Sequence, residues 1–155
     1  PFSLLEAISK ITHVVALKED AKDDTVAKFA LTLEPNVRVI FAGTKRTFMP
    51  LLNHGLKAYL NGISIIDAQI GFLFWKAATE NDSTMMKKII SDLEDPFFLG
   101  PVEKYGWHRC NKALLQANGL MHRRDRMPMN SLSDLEYQDI VNINQEIKYA
   151  VRSLI

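Results

Sequence analysis

Apolar positions in the first part of the chain alternate between helical spacing and strand spacing. Helical spacing at Leu4, Leu5, Ile8 and Ile11 predicts a helix over residues 2–11. Short apolar runs predict three strands, at residues 13–17, 37–42 and 59–66. Helical patterns separate these strands, and Asp23 is suited to cap the first separating helix. This alternation is typical of a parallel sheet built from βαβ units.

From Gln69 onward the pattern is helical throughout. It predicts helices over residues 69–80, 83–93 and 102–118, with a loop at the sequence EDPFFLGP between the second and the third. Ser133, followed three residues later by Glu136, predicts a capping box at the start of a last helix. The chain is therefore predicted to contain a partial α/β region over residues 1–68 and a helical extension over residues 69–155.

Three parallel strands make an incomplete sheet, because a parallel sheet needs both faces covered and its edges protected. The chain also starts at Pro1 instead of Met and enters a predicted helix at once. We therefore expect these residues to form the later part of a larger α/β barrel, and the abrupt start raises the possibility of an upstream part that is not in this sequence.

Composition limits the classes of partner. The chain has 155 residues, is 47% hydrophobic and carries a net charge of +1, so its overall charge favours neither nucleic acid nor an anionic membrane. Acids Glu103 and Asp125 interrupt the basic stretch of the second half, which disfavours nucleic-acid binding. His108 and His122 lack partners at ligand spacing, so no metal site is expected.

The single cysteine, Cys110, permits no disulfide within the chain and fits a reducing compartment. It lies in a helical pattern beside apolar residues, which favours a packing role. The sequence shows neither a membrane-spanning run nor a secretory leader at its start. We therefore expect a cytoplasmic protein.

Lys18 ends an apolar run in the stretch VVALKEDAKDD, residues 14–24. A lysine at the end of a buried strand is costly unless it is paired or reactive. One interpretation is an ion pair with Glu19, Asp20 or Asp23. The other is a nucleophilic amine at the mouth of a barrel, where a low dielectric favours the neutral form that attacks a ketone. Asp20 would share the face of Lys18 and oppose this reactivity.

This stretch resembles the sixth strand of the dihydrodipicolinate synthase and N-acetylneuraminate lyase family. The family pattern is an apolar strand, a lysine, an acid, two small residues and an Asp. The matching positions here are Lys18, Glu19, Asp20, Ala21 and Asp23, with Asp20 where a small residue is usual. The stretch VRVIFAGTKRTFMPLLNHGLKAYLNGISIIDAQIG resembles the seventh strand, glycine turn, helix and eighth strand of that family. Residues 100–137 resemble its helical tail.

The resemblance implies the C-terminal part of a (β/α)₈ barrel, with three parallel strands matching strands six to eight, followed by a helical tail. It implies aldol cleavage, condensation or dehydration of pyruvate or another 2-oxo acid through an imine on Lys18. No metal or organic cofactor is implied, and family members are usually oligomers. Gly43 is expected to let substrate approach the backbone, although a plain turn glycine is equally compatible with the sequence.

The other predicted substrate-binding residues follow from the same match. Ser64, Ile65 and Ile66 are implied to line the pocket floor, and Thr44 lies at the predicted mouth directly after the second strand. Lys45 and Arg46 follow Thr44. A cation there could hold a distal acid group of the substrate, and the alternative is a solvated start of the following helix.

The family's catalytic Tyr and its carboxylate-binding loop would fall before Pro1, so we expect little or no turnover from these residues alone. The alternative is a non-catalytic half-barrel module that self-associates through open sheet edges.

Overall fold

The computed structural model describes residues 1–20, 24–34 and 36–155. The chain divides into two compact units, Pro1–Gly62 and Ile63–Ile155. The predicted helix cap at Asp23 and the motif position Ala21 lie outside the described residues. The domain boundary after residue 68 stays a prediction. Across the described ranges, no helix combines the length and the apolar character that a membrane crossing requires.

Among residues 1–20, 24–34 and 36–62, three strands form one parallel sheet in the order β1-β2-β3. The strands are β1 (Ala16–Glu19), β2 (Arg38–Ala42) and β3 (Tyr59–Leu60). Helix α1 (Phe2–Ser9) precedes the sheet, and α2 (Asp24–Leu31) and α3 (Lys45–Leu51) connect the strands. A 3₁₀ turn over Leu52–His54 extends α3. The predicted alternation of parallel strands and helices is confirmed.

The first strand lies later in the chain than the sequence predicts. Residues 11–13 form a turn, in which the amide of Val14 donates to the carbonyl of Ile11 at 2.9 Å. Sheet bonding begins where the amide of Arg38 donates to the carbonyl of Val15 at 3.0 Å. The prediction of a strand over residues 13–17 was therefore wrong in position, because residues 11–15 form the turn and connection between α1 and β1. Lys18 consequently lies within β1 and not beyond it.

The third strand is shorter than predicted. It ends at Leu60, and Gly62–Ile65 form a 3₁₀ turn in place of the expected strand continuation to residue 66. Asn61 and Gly62 have low strand propensity, and the turn is completed where the amide of Ile66 donates to the carbonyl of Ile63 at 2.9 Å. Ser64 and Ile65 are therefore in a helical turn, not in a strand.

One face of the sheet carries the core of the first unit. Paired residues of parallel strands share a face, so Glu19 lies on the same face as its partner Phe41. Phe41 is 3% exposed, and Phe48 of α3 packs over this face with its ring 6.2 Å from Phe41 and 4.6 Å from Tyr59. Helix α3 therefore covers the face that holds Glu19, Phe41 and Tyr59.

In the described residues of the second unit, every regular element is helical. The α-helices are α4 (Ala68–Thr79), α5 (Ser83–Ile89), α6 (Asp95–Phe97), α7 (Glu103–Tyr105), α8 (Trp107–Ala117) and α9 (Asp134–Arg152). The predicted capping box of α9 is present, since Ser133 accepts from the amide of Glu136 and the Glu136 carboxylate accepts from the amide of Ser133. Asn81, between α4 and α5, has a φ of 57°, in agreement with the break predicted there.

The loop predicted at residues 94–101 was wrong. Two π-helical turns, Ile90–Glu94 and Phe98–Val102, flank α6 and keep this stretch helical. Proline lacks an amide to donate, and the wider π-helical turn around Pro101 accommodates that gap. Aromatic packing holds the segment, because Phe97 is fully buried and the ring of Phe98 stacks on Trp107 at 5.5 Å.

Candidate functional site

Lys18 lies near the carboxyl end of β1, on the sheet face opposite to the one covered by α3. It pairs in register with Ile40, while its neighbour Glu19 pairs with buried Phe41. Side chains alternate along a strand, so Lys18 and Ile40 share the opposite face with Ala42. None of these three side chains is buried in the first unit. In a closed barrel, this face is the interior one.

The amine of Lys18 donates a hydrogen bond to the carboxylate of Asp20 at 2.8 Å. The two side chains are 53% and 62% exposed, so this is a solvated ion pair. Of the partners considered from the sequence, Asp20 is the one that the structure brings to Lys18. Glu19 points to the buried face and is 4% exposed, and Asp23 lies outside the described residues.

Lys45, which the sequence analysis placed at the barrel mouth, is an enclosed cation of the first unit. Its side chain is fully buried, its amine donates to the Asn61 amide oxygen at 2.8 Å, and it lies 5.8 Å from the centroid of the Tyr59 ring. These partners lie on the covered side of the sheet, away from Lys18. Lys45 therefore joins α3 to Asn61, directly after β3, and its contact with a distal acid group stays a prediction.

Gly43 is required by close packing. A Cβ atom at this position would lie 2.8 Å from Phe41 Cε1 and 3.1 Å from Thr47 Oγ1. Its carbonyl accepts a hydrogen bond from the Tyr59 hydroxyl at 3.2 Å. Close packing against Phe41 and Thr47 thus explains a glycine at this position without any substrate. A contact between Gly43 and substrate stays a prediction.

Thr44 caps α3. Its side-chain oxygen accepts from the amide of Thr47 at 3.3 Å, and its carbonyl accepts from the Thr47 hydroxyl at 2.9 Å. These bonds satisfy a donor at the helix start that would otherwise need solvent. The hydroxyl is therefore already engaged, and a contact between Thr44 and substrate stays a prediction.

The predicted floor residues Ser64, Ile65 and Ile66 belong to the second unit. Ile66 is 3% exposed, and the carbonyl of Ile65 accepts from the side-chain amide of Asn118 at 3.2 Å. The same Asn118 amide donates to Asn144 Oδ1 at 3.3 Å, and Lys148 donates to Asn118 Oδ1. A polar cluster of Asn118, Asn144 and Lys148 therefore ties the floor segment to α8 and α9.

The sequence reasoning missed two sets of residues. Burial of Lys45 gives no sequence signal, because lysine is ordinarily exposed and becomes buried only with partners from distant positions. The spacing of Asn144 and Lys148 at i and i+4 on α9 does place both on one helix face. Their joint contact with Asn118 depends on how α8 and α9 pack, which the spacing does not contain.

Two arginines of the basic second half are held by partners within their own unit. Arg109 donates to the Glu136 carboxylate and to the carbonyl of Ser131, each at 3.4 Å. Arg123 pairs with Asp134 and lies over the ring of Tyr137 at 4.5 Å. For metal chemistry, residues 1–20, 24–34 and 36–155 contain no group of three His, Cys, Asp or Glu side chains placed to hold an ion.

No protein-family model matches the sequence, and no curated protein matches it. Solved structures do. A protein assigned as a dihydrodipicolinate synthetase from Pseudomonas aeruginosa matches with a TM-score of 0.75 and 17% identity, over 94% of this chain and 50% of that one. N-acetylneuraminate lyase from Mycoplasma synoviae matches with a TM-score of 0.74 and 18% identity, over 96% of this chain and 48% of that one. A second crystal form of that lyase gives a TM-score of 0.66 at 16% identity.

The chain spans about half the length of the first two solved structures that it matches. At these identities the likeness establishes the fold and leaves the chemistry open. The predicted fold class is confirmed: the chain is α/β, with three parallel strands and helices that match part of the (β/α)₈ barrel of these structures. The likeness is one of fold, over about half of each of these structures.

Proposed function

We propose that this chain is part of a lyase or synthase that forms a Schiff base with pyruvate or another 2-oxo acid, with Lys18 as the nucleophile. The observation that carries the proposal is the position of Lys18. It lies near the carboxyl end of a parallel strand, on the face opposite to the helix-covered core. Active sites of (β/α)₈ barrels lie at the carboxyl ends of the strands.

The fold comparison supports the same reaction class. The matched proteins are described as a dihydrodipicolinate synthetase and an N-acetylneuraminate lyase. Their shared fold with this chain favours carbon–carbon bond chemistry on a 2-oxo acid. Because the match covers about half of each, we assign complete turnover to a full barrel, whereas imine formation at Lys18 is proposed for this strand end itself and can be tested on this chain.

The chemical step at Lys18 is addition followed by loss of water. The neutral amine attacks the keto carbon, and a proton moves from the nitrogen to the new alkoxide, which gives the carbinolamine. Protonation of its hydroxyl by solvent lets water leave, and the resulting iminium withdraws electrons from the neighbouring carbon. An ammonium bonded to a carboxylate is not a nucleophile. The amine must therefore transfer a proton and leave Asp20 before it attacks.

Reductive trapping tests this proposal. The chain is incubated with pyruvate and borohydride, digested, and mapped by mass spectrometry for the reduced pyruvyl adduct on each lysine. The proposal predicts preferential labelling of Lys18 over Lys28, an exposed lysine of α2 that serves as the internal control. The Lys18→Arg variant keeps the charge and should lose this labelling, whereas Lys28→Arg should keep it.

The alternative function is self-association of a half-barrel. Strands β1 and β3 are the outer strands of the sheet formed by the described residues. Val15, directly before β1, is 75% exposed, and Leu60, the last residue of β3, is 49% exposed. Exposed strand edges with apolar neighbours pair readily with other chains. Sedimentation equilibrium measures this self-association as a concentration-dependent mass, which a Val15→Lys or Leu60→Lys change should reduce. The trapping experiment above separates it from the enzymatic proposal, because a non-catalytic module shows no preference for Lys18.

A further inference from the structure

A recess lies at the opposite end of the sheet from Lys18. It is an open cleft of about 730 Å³ within the first unit. Its walls come from the end of α1, the approach to β1, the turn before β2 and Lys57 just ahead of β3. In a parallel sheet these segments all meet at the amino ends of the strands, so the cleft is separate from the site proposed for imine formation.

Cations dominate this cleft. Lys10, Arg38 and Lys57 line it, and they come from three separate segments of the chain. The one acid of the lining, Glu34, is already engaged, since Oε2 lies 3.5 Å from Arg38 and Oε1 accepts from the amide of Val39 at 3.1 Å. Among the described residues, no ion pair neutralises Lys10 or Lys57. The lining therefore has two positive charges in excess of its acid.

The same cleft has an apolar part. Ile11, Val14, Val15 and Val37 contribute to its walls, and Ile11 and Val15 are 52% and 75% exposed in the first unit. Small-molecule sites characteristically combine apolar walls with a few placed polar groups, and a volume of this size falls in the range of such sites. Inorganic ions would leave the apolar walls uncovered.

We propose that this cleft binds a small organic anion that carries two negative charges on an apolar carbon frame. Its charged groups would meet Lys10 and Lys57, and its carbon frame would cover Ile11 and Val15. The site is independent of Lys18 and of the 2-oxo acid chemistry proposed above.

Titration of the isotope-labelled chain with succinate tests this binding. Amide shifts are followed at an ionic strength of about 0.01 M, where the screening length is about 30 Å. Shifts should localise to residues 9–15, 34, 36–38 and 57, and should weaken at higher salt. Succinamide has the same frame without charge and should bind far less. Inorganic phosphate tests whether charge alone is sufficient.

Variants locate the binding. The double variant Lys10→Gln, Lys57→Gln removes two exposed charges and should lower the affinity for succinate by about tenfold. Lys28→Gln removes an exposed charge outside the cleft and should leave the affinity unchanged. Lys18→Arg should also leave it unchanged, which separates this site from the proposed imine site. Circular dichroism checks that each variant is folded.

Four outcomes would overturn the proposal. These are the absence of saturable shifts with succinate at low ionic strength, phosphate binding as tight as succinate, equal binding of succinamide, and a double variant that binds as the native chain does. Localised shifts that are lost with Lys10 and Lys57, and kept with Lys28→Gln, would support it.

Discussion

The amine of Lys18 and the carboxylate of Asp20 are hydrogen-bonded at 2.8 Å across the end of β1, and solvent reaches more than half of each side chain. Asp20 stands where the resembled family usually has a small residue. The proposed nucleophile is thus held by a neighbour that the reaction requires it to leave, and this contact defines the first prediction.

Asp20→Asn should speed reductive trapping of pyruvate at Lys18. The change removes a charged partner that the amine must give up before it attacks, and for a solvated ion pair the expected gain is roughly twofold to fivefold. The rate is measured as adduct formation per unit time, with Lys28 as the internal reference. A rate equal to that of the native chain would show that the Asp20 contact does not limit the reaction. The difference in trapping rate between the Asp20→Asn variant and the native chain should shrink at high salt, because salt screens exposed ion pairs.

Gly43→Ala should lower the free energy of unfolding by about 1–3 kcal/mol, because the added methyl group overpacks the Phe41 ring. Denaturant titration measures this change. Gly100→Ala is the matched control, since nothing lies within 4 Å of a Cβ there, and it should be close to neutral. Combining Gly43→Ala with Phe41→Leu should cost less than the sum of the two changes. Strict additivity would contradict the assigned clash.

Asn118→Ala should destabilise the second unit by about 1–3 kcal/mol, because it leaves the Ile65 carbonyl and the buried Asn144 side chain without a partner. Asn142→Ala, at an exposed position on α9, should cost far less. Hydrogen exchange adds a local readout. Faster exchange in the segment 64–66 in the Asn118 variant is expected, and unchanged exchange there would refute its role in holding that segment.

Cys110 should be unreactive in the folded chain. Its thiol is fully buried and donates to the carbonyl of Pro101 at 3.2 Å, and burial raises the pKa of the thiol to about 11. The thiolate is the reactive form, so little of it exists at neutral pH. A disulfide reagent such as Ellman's should label the chain only after unfolding by denaturant. Rapid labelling under native conditions would contradict the packing of α8.

The second unit should lose stability in acid. Hydrogen bonds from Tyr105 and Lys104 hold the pKa of Asp139 below its ordinary 3.8, and bonds from the Ser133 amide and hydroxyl hold the pKa of Glu136 below its ordinary 4.5. A carboxyl whose pKa is lower in the folded chain contributes stability above its unfolded value. That contribution is lost as the pH falls through the folded value.

The contribution of these two carboxyls to the free energy of unfolding should therefore be constant above their ordinary values and fall below about pH 4.5. Tyr105→Phe removes the main donor to Asp139 and should weaken this acid dependence. Glu146→Gln, at an exposed position on the same helix, serves as the control. If the free energy of unfolding of the Tyr105→Phe variant depended on pH as that of the native chain does, the hydrogen bond from Tyr105 to Asp139 would not cause the acid dependence.

Local chemistry made parts of this fold predictable from sequence. The capping box at Ser133 and Glu136 needs only neighbouring residues, and the parallel strand–helix order follows from hydrophobic period. The predicted loop at residues 94–101 failed because proline was taken as a helix end, whereas π-helical turns and burial of Phe97 keep the chain helical. The early placement of β1 failed because its start depends on a long-range bond from Arg38 to Val15.

The position of Lys18 near a strand end was predictable, because a lysine ends the apolar run there. The sheet face on which Lys18 lies was not, because it depends on the register of β1 with β2. The burial of Lys45 depends on Asn61 and Tyr59, sixteen and fourteen residues further along the chain. No local pattern contains that contact.

Peptide mapping of the chain after reduction with borohydride in the presence of pyruvate is the most direct test of the central claim. The account predicts that the reduced adduct accumulates on Lys18 at least about ten times faster than on Lys28, and that Lys18→Arg abolishes this preference. Labelling of Lys18 at the same rate as the other exposed lysines would contradict the proposed nucleophile.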